Sequence, residues 1–209
     1  MKFSVIVAVN NDRQYEDNIL DSPGLREVSA PIVVVREATS AADAFYKGLP
    51  RTVSPWLLFC HQDVFFPART GFEIEKKLDS FSQSDIIGFA GMSGELNGPA
   101  SNAGLVLDRG ALRDWPSTDT AISIDELAIL IHRDSVCRID PNLKWDLWAT
   151  DLCLQARLGG SCARIIRVLL HHNSRNQYVL PEAWFTSRKV LAAKYPQLKS
   201  IHTLCGDAK

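Results

Sequence analysis

Near its N-terminus the chain reads FSVIVAV (Phe3–Val9), a β-branched run in which apolar and polar residues do not alternate. A strand with one face in water alternates, whereas a strand without alternation is covered on both faces. Coverage of that kind belongs to mostly parallel sheets with helices packed on each side, so this run narrows the fold strongly. The pattern returns in PIVVVRE (Pro31–Glu37), WLLFC (Trp56–Cys60), DIIGFAGM (Asp85–Met92) and ARIIRVLL (Ala163–Leu170). A less regular stretch, SIDELAILIHRD, reads as a further strand entered from a polar loop.

Helix signals separate these runs. Between the first two lies a polar stretch suited to a short helix, with a turn signal at Ser22–Gly24. Ser40 and Asp43 have capping-box spacing and Gly48 is a helix stop. A second capping box, Thr70 to Glu73, precedes Ile74, Leu78 and Phe81 at i, i+4, i+7 spacing, which predicts a helix over 70–81. ELNGPASNAG reads as a turn-rich loop, TDLCLQARLGG as a helix closed by Gly159–Gly160, and LPEAWFTSRKVLAAKYPQL as a last helix. The expectation is an α/β fold with a mostly parallel, mixed central sheet flanked by helices. At 209 residues and 46% apolar content, the chain suits one soluble domain over 1–209.

In open α/β sheets, ligands bind beyond the carboxyl ends of the strands. Polar clusters follow four of the predicted strands: Asn10–Asp12, Arg36–Glu37, His61–Asp63 and His171–Asn173. They are expected to converge on one edge. His61 and Asp63 interrupt the apolar run LLFCHQDVFF, and a buried charge is costly unless it is paired or bound to a metal. Two residues apart in an extended segment, they point to the same side. Asp63 suits a divalent cation, with His61 as a second ligand and His171 or His172 completing the set. Imidazole mixed with carboxylate favours Mn2+ over Mg2+, which prefers oxygen alone. The structural alternative is that His61 is a satisfied strand-end histidine and Asp63 caps a turn.

Net charge is −1 and no basic stripe occurs, so nucleic acid is not an expected partner. The five cysteines are scattered without a CxxC pair, which indicates neither a zinc knuckle nor a disulfide framework and points to a reduced, cytoplasmic protein. The first apolar run is too short for a secretory leader, and no run approaches the length of a membrane span. Peripheral membrane contact and oligomer formation stay open.

The order SVIVAVNND, second strand, SAADAFYKG, WLLFCHQDVFFP resembles the bacterial family 2 glycosyltransferases of the GT-A fold. IGFAGM, DELAILIHRD, IDPNLKWDLWATDLCLQARLGG and LLHHNS extend the likeness over nearly the whole chain. The sequence HQDV is similar to the glycosyltransferase-like group that includes the streptomycin-biosynthesis StrF proteins, where other members carry aspartate-x-aspartate. The resemblance implies a metal-dependent, inverting hexosyltransferase that moves a sugar from a nucleotide-sugar to a sugar or glycan acceptor, as in polysaccharide biosynthesis. It implies a nucleotide-sugar-binding half over 1–95, and an acceptor-side half with the C-terminal helix over 96–209.

Carried over by residue, Asn11, Asp12, Arg36 and Glu37 would lie near the nucleoside. His61, Gln62 and Asp63 would face the donor diphosphate, with Asp63 and His61 on the metal together with His171 or His172. The family's acidic pair, expected just before DLCLQAR, reads Trp148–Ala149 here. The general base therefore falls to Asp151, Asp146, Asp125 or Glu126. Asp151 has an equally simple reading as a carboxylate in the first turn of a helix. Trp145 and Trp148 flank the region, and Trp148 is the expected acceptor contact. Loss of the acidic pair also supports an alternative: a GT-A-like protein that binds a nucleotide or glycan without catalysis.

Overall fold

The computed structural model describes residues 1–175 and 179–209. The apolar runs become strands where expected: β1 (Phe3–Ala8), β2 (Ile32–Val35) and β3 (Trp56–Cys60). Between β1 and β2 lie α1 (Asp12–Tyr15), a π turn over Glu16–Leu20 and α2 (Pro23–Glu27). The helix α3 (Ala41–Gly48) starts on the predicted cap, where the Asp43 N–H donates to Ser40 Oγ (3.1 Å). The short strand β4 (Val64–Phe65) and α4 (Thr70–Leu78) follow β3.

The rest of the chain forms β5 (Ile86–Gly88), β6 (Ala90–Gly94), β7 (Ala100–Asp108), β8 (Ala111–Asp114), β9 (Ala121–Ile124) and β10 (Ala128–His132). Then come α5 (Trp148–Leu158), β11 (Ala163–Ile165), β12 (Leu170–His172) and α6 (Glu182–Lys194). A hairpin of β13 (His202–Thr203) and β14 (Gly206–Asp207) ends it.

The main sheet has the order β11-β5-β10-β3-β1-β2. Its pairs are parallel except at β10, which runs antiparallel to both β3 and β5. Burial on both faces is literal: Ile6, Leu57 and Phe59 pack with α3 and α5, while Val5, Val7 and Leu58 pack on the opposite side with Leu25 and Ile74. A second sheet, β4-β12-β7-β6-β9 with β8 beside β7, lies across the carboxyl ends of the central strands.

That second sheet corrects several expectations. Asp85–Met92 is two strands, not one, because the chain leaves the main sheet at Phe89 and enters the other. The crossover is tight: a Cβ at Gly104 would stand 2.1 Å from the Phe89 carbonyl, and Gly104 itself has φ +115°. Much of the predicted loop 95–104 is instead the start of β7, paired with β6 through Met92 opposite Asn102. SIDELAILIHRD also divides, into β9 and β10 around Asp125–Leu127. Ala163–Leu170 likewise contains only β11 and the first residue of β12. The capping box at Thr70 does not form. Arg69 takes the cap position in a left-handed conformation, and the Thr70 hydroxyl donates to the Leu169 carbonyl (3.3 Å).

Candidate active site

The strands β1, β2 and β3 are neighbours and parallel, so the polar clusters that follow them share one edge. The apolar run does end at His61, whose N–H donates to the Leu127 carbonyl (2.9 Å). Gln62 ties two of the clusters together. Its Oε1 accepts from the N–H groups of Asn10 (3.0 Å) and Asn11 (3.1 Å), and its Nε2 donates to Asn10 Oδ1 (2.6 Å). Asn11 caps α1 by accepting from the Gln14 N–H (3.1 Å). Arg36 and Asp12 form an exposed ion pair at the rim (2.6 Å), joining the ends of β1 and β2.

Of the two candidate histidines, only His172 reaches Asp63. Both sit inside β12 rather than after a strand, with His172 opposite Val64 and His171 opposite Phe65. Alternation then separates them. The His171 ring stacks on Phe65 (5.4 Å between centroids), and burial lowers its pKa. The ligand atoms of His61, Asp63 and His172 all lie within 4.8 Å of one another. His172 Nε2 is 3.7 Å from Asp63 Oδ1, while its Nδ1 bonds Asp108 Oδ1 (3.0 Å).

Three observations fit this trio to a cation. Asp63 Oδ1 is buried without a hydrogen-bond partner, although Oδ2 accepts from Gln14 Nε2 (3.3 Å). Asp108 occupies Nδ1 of His172, which leaves Nε2 to face Asp63. Negative charge also predominates around the two imidazoles. Burial would lower the His172 pKa, but its bond to Asp108 and the charges of Asp63 and Asp125 raise it instead. For His61, burial prevails with help from His172, and the pKa falls despite Asp63 and Asp125.

His61 and Asp63 of the trio line a cavity of about 340 Å³, whose other walls are the ends of β1, β2 and β3, the start of α3, and Trp145 and Trp148. Asn10 and Glu37 also line it, Glu37 with φ +55°. Asn11, Asp12 and Arg36 are exposed and are not among its lining residues. Trp148 is 2% exposed and rests on Phe59, with ring centroids 5.0 Å apart, so it forms part of the cavity floor. Trp145 is the exposed tryptophan there.

The candidate bases separate cleanly. Asp151 is fully buried in α5 and saturated: it accepts from the Tyr195 hydroxyl (2.6 Å), Lys194 Nζ (2.8 Å) and Gln155 Nε2 (2.8 Å). Asp125 and Glu126 occupy the β9–β10 turn, where Asp125 Oδ1 accepts from the Leu127 N–H (3.0 Å). Glu126 Oε1 is buried without a hydrogen-bond partner. Burial first, then the charges of Asp125 and Asp146, raise the Glu126 pKa well above the usual carboxylate range. The Ala149 N–H at the start of α5 pulls in the opposite direction. Burial also raises Asp146. Residues Thr203–Cys205 of the C-terminal hairpin line a small hollow with Asp125 and Glu126.

Residues 4–113, just over half the chain, match the sequence profile of the Glycosyltransferase like family. The chain belongs to this glycosyltransferase-like family. No curated protein matches it in sequence. Among solved structures, this glycosyltransferase-like chain is similar to S. aureus TarS 1-349 in complex with UDP: TM-score 0.55, 15% identity, 95% of this chain and 67% of that one covered. It is similar to GalNAc-T7 with UDP, GalNAc and Mn2+: TM-score 0.62, 9% identity, coverage 92% and 48%. It is also similar to the mannosyltransferase PcManGT of Pyrobaculum calidifontis with GDP-Man and Mn2+: TM-score 0.53, 12% identity, coverage 94% and 63%. The chain thus spans about half to two thirds of the length of these neighbours. At such identities the likeness concerns the fold, and the fold is the expected GT-A arrangement.

Sequence reasoning missed Gln14 and Asp108, both of which touch the trio of this glycosyltransferase-like protein. Gln14 carried no signal. Asp108 does carry one, as the polar end of the apolar stretch AGLVLD, whose first two residues fall in the predicted loop 95–104.

Proposed function

We propose that this chain is a metal-dependent, inverting hexosyltransferase that moves a sugar from a nucleotide-sugar to the hydroxyl of a sugar or glycan acceptor. The observation carrying this reading is the trio of His61, Asp63 and His172, two of which, His61 and Asp63, line the cavity. These three residues would hold a divalent cation, and their mixed donor set favours manganese over magnesium. Such a cation supplies positive charge against a diphosphate leaving group. Asp108 keeps Nε2 of His172 turned toward Asp63. Gln62 holds the turn after β1 and Glu37 faces the nucleoside end, so the donor residues come mainly from 1–95.

Glu126 is the group we assign as general base. It takes the proton of the acceptor hydroxyl while the new C–O bond forms at the anomeric carbon and the bond to the diphosphate breaks. Burial and the charges of Asp125 and Asp146 raise its pKa, which makes its ionised form a stronger base. The family's acids are replaced at Trp148–Ala149, and Glu126 lies close enough for the Ala149 N–H to act on it. On this reading its carboxylate, supplied from another element, serves the same end of α5. Asp151 instead joins α5 to α6.

The donors named for the neighbours, UDP and GDP-Man, set the substrate class to try. A role in polysaccharide biosynthesis and a cytoplasmic location fit a nucleotide-sugar enzyme. Among the described residues no helix is long and apolar enough to cross a membrane. On its HQDV sequence we also place the chain with the StrF-containing group.

The test is turnover of UDP-, GDP- and dTDP-sugars with manganese and simple sugar acceptors, with anomeric configuration read by NMR. We expect inverted product and a loss of about 100-fold or more in E126Q. Undiminished turnover in E126Q would overturn the assignment of the base. Donor binding without any turnover would favour the second reading, a non-catalytic nucleotide- or glycan-binding protein, for which the alanine at position 149 is the specific observation.

A further inference from the structure

We infer that Trp145 is the nucleobase platform of the donor cavity, stacking its indole on the face of the base. The inference rests on the donor reading above and adds a residue to it. Trp56, Trp148 and Trp184 are buried and Trp115 is half-buried, whereas Trp145 is 40% exposed although it lines a cavity. An aromatic face left open in a concave site is available to a flat ligand.

Strand order decides which part of the donor reaches it. The cation trio stands at the end of β3, in the middle of the edge. On one side of β3 lies β10, entered through Asp125 and Glu126, and the Asp125 charge acts on both imidazoles of the trio. On the other side lie β1 and β2, followed by Ala38 and the start of α3. A nucleotide-sugar held at its diphosphate extends a sugar one way and a nucleoside the other. The sugar must reach the carboxylates, so the nucleoside takes the β2 side.

Trp145 belongs to that side. The Ala41 N–H donates to the Lys144 carbonyl (2.9 Å), which fastens the Trp145 loop to the first residue of α3. Lys144 and Leu147 bracket the loop with φ +53° and +63°, sparsely populated values for such residues. The small residues Ala38 and Ala41 line the same cavity, and a platform of this kind accepts any base because each has a π face.

Calorimetry with UDP, GDP and inorganic pyrophosphate, each with manganese, tests the inference, since pyrophosphate has no base to stack. W145A should weaken UDP and GDP binding about tenfold and leave pyrophosphate unchanged, while W145F keeps most of the nucleotide affinity. The inference is overturned if W145A binds the nucleotides as wild type does, or if all three probes weaken together. Wild-type protein that binds pyrophosphate but gains nothing from a nucleoside would also overturn it while leaving the cation site standing. Wild-type protein that binds none of the three probes would end the donor reading as well.

Discussion

Asp108 touches the trio only through His172, and that contact makes it a positioning residue. A ligating imidazole is normally held by a partner on its other nitrogen, and removing that partner costs about 10- to 100-fold in metal affinity. D108A should weaken manganese binding by that much, with D108N intermediate, as measured by calorimetry. Unchanged affinity in D108A would contradict the geometry. Glu126 makes a prediction of opposite kind. Its folded-state pKa is raised, so ionising it costs folding free energy. The stability held at low pH is lost as pH rises from the ordinary carboxylate value through the raised one. The loss is at most about 1.4 kcal/mol per pH unit. Urea unfolding should show wild type falling relative to E126Q as pH rises, and parallel curves would argue against a buried carboxyl with a raised pKa.

At the scale of elements, α5 and α6 are joined by Asp151. Its carboxylate receives Tyr195, Lys194 and Gln155, and Lys194 also pairs with Asp140 (3.0 Å). Breaking a buried ion pair from one side costs about 3 to 5 kcal/mol, and D151A should destabilise the fold by that order in urea unfolding. A loss below about 1 kcal/mol, within the range of exposed pairs, would mean the clasp is not structural. The same residue marks the limit of reading a site from sequence. An acid in the first turn of α5 looks alike whether it faces a cavity or a neighbouring helix, and only the docking of α6 distinguishes them. His61–Asp63 was legible because an apolar run cannot end in a carboxylate without a reason. His172 was legible as a strand-end residue, but its choice over His171 depended on the register of β12 against β4. The second sheet was hidden because two of its strands, β6 and β12, share apolar runs with β5 and β11 of the main sheet.

On the scale of the whole molecule, unalternated apolar runs specified the central sheet because both faces had to be covered, and the layers follow from that requirement. On the proposed reading function depends on the second sheet, which brings His172 and its partner Asp108 to Asp63 beyond the end of β3. A ligand that joins the two sheets should stabilise the fold as a unit. At about 100 times Kd the gain is about 2.7 kcal/mol, roughly 5–10 °C in Tm for a chain of this size. Manganese with UDP or GDP should therefore raise Tm in wild type and leave D63A unmoved. The central claim is that His61, Asp63 and His172 form one cation seat. Its most direct measurement is an electron paramagnetic resonance titration of Mn2+ with UDP or GDP present. Wild type should take up one ion per chain with nitrogen coupling from imidazole, and both uptake and coupling should be lost in D63A. An equal uptake by D63A, or a bound ion with no nitrogen coupling, would contradict the account.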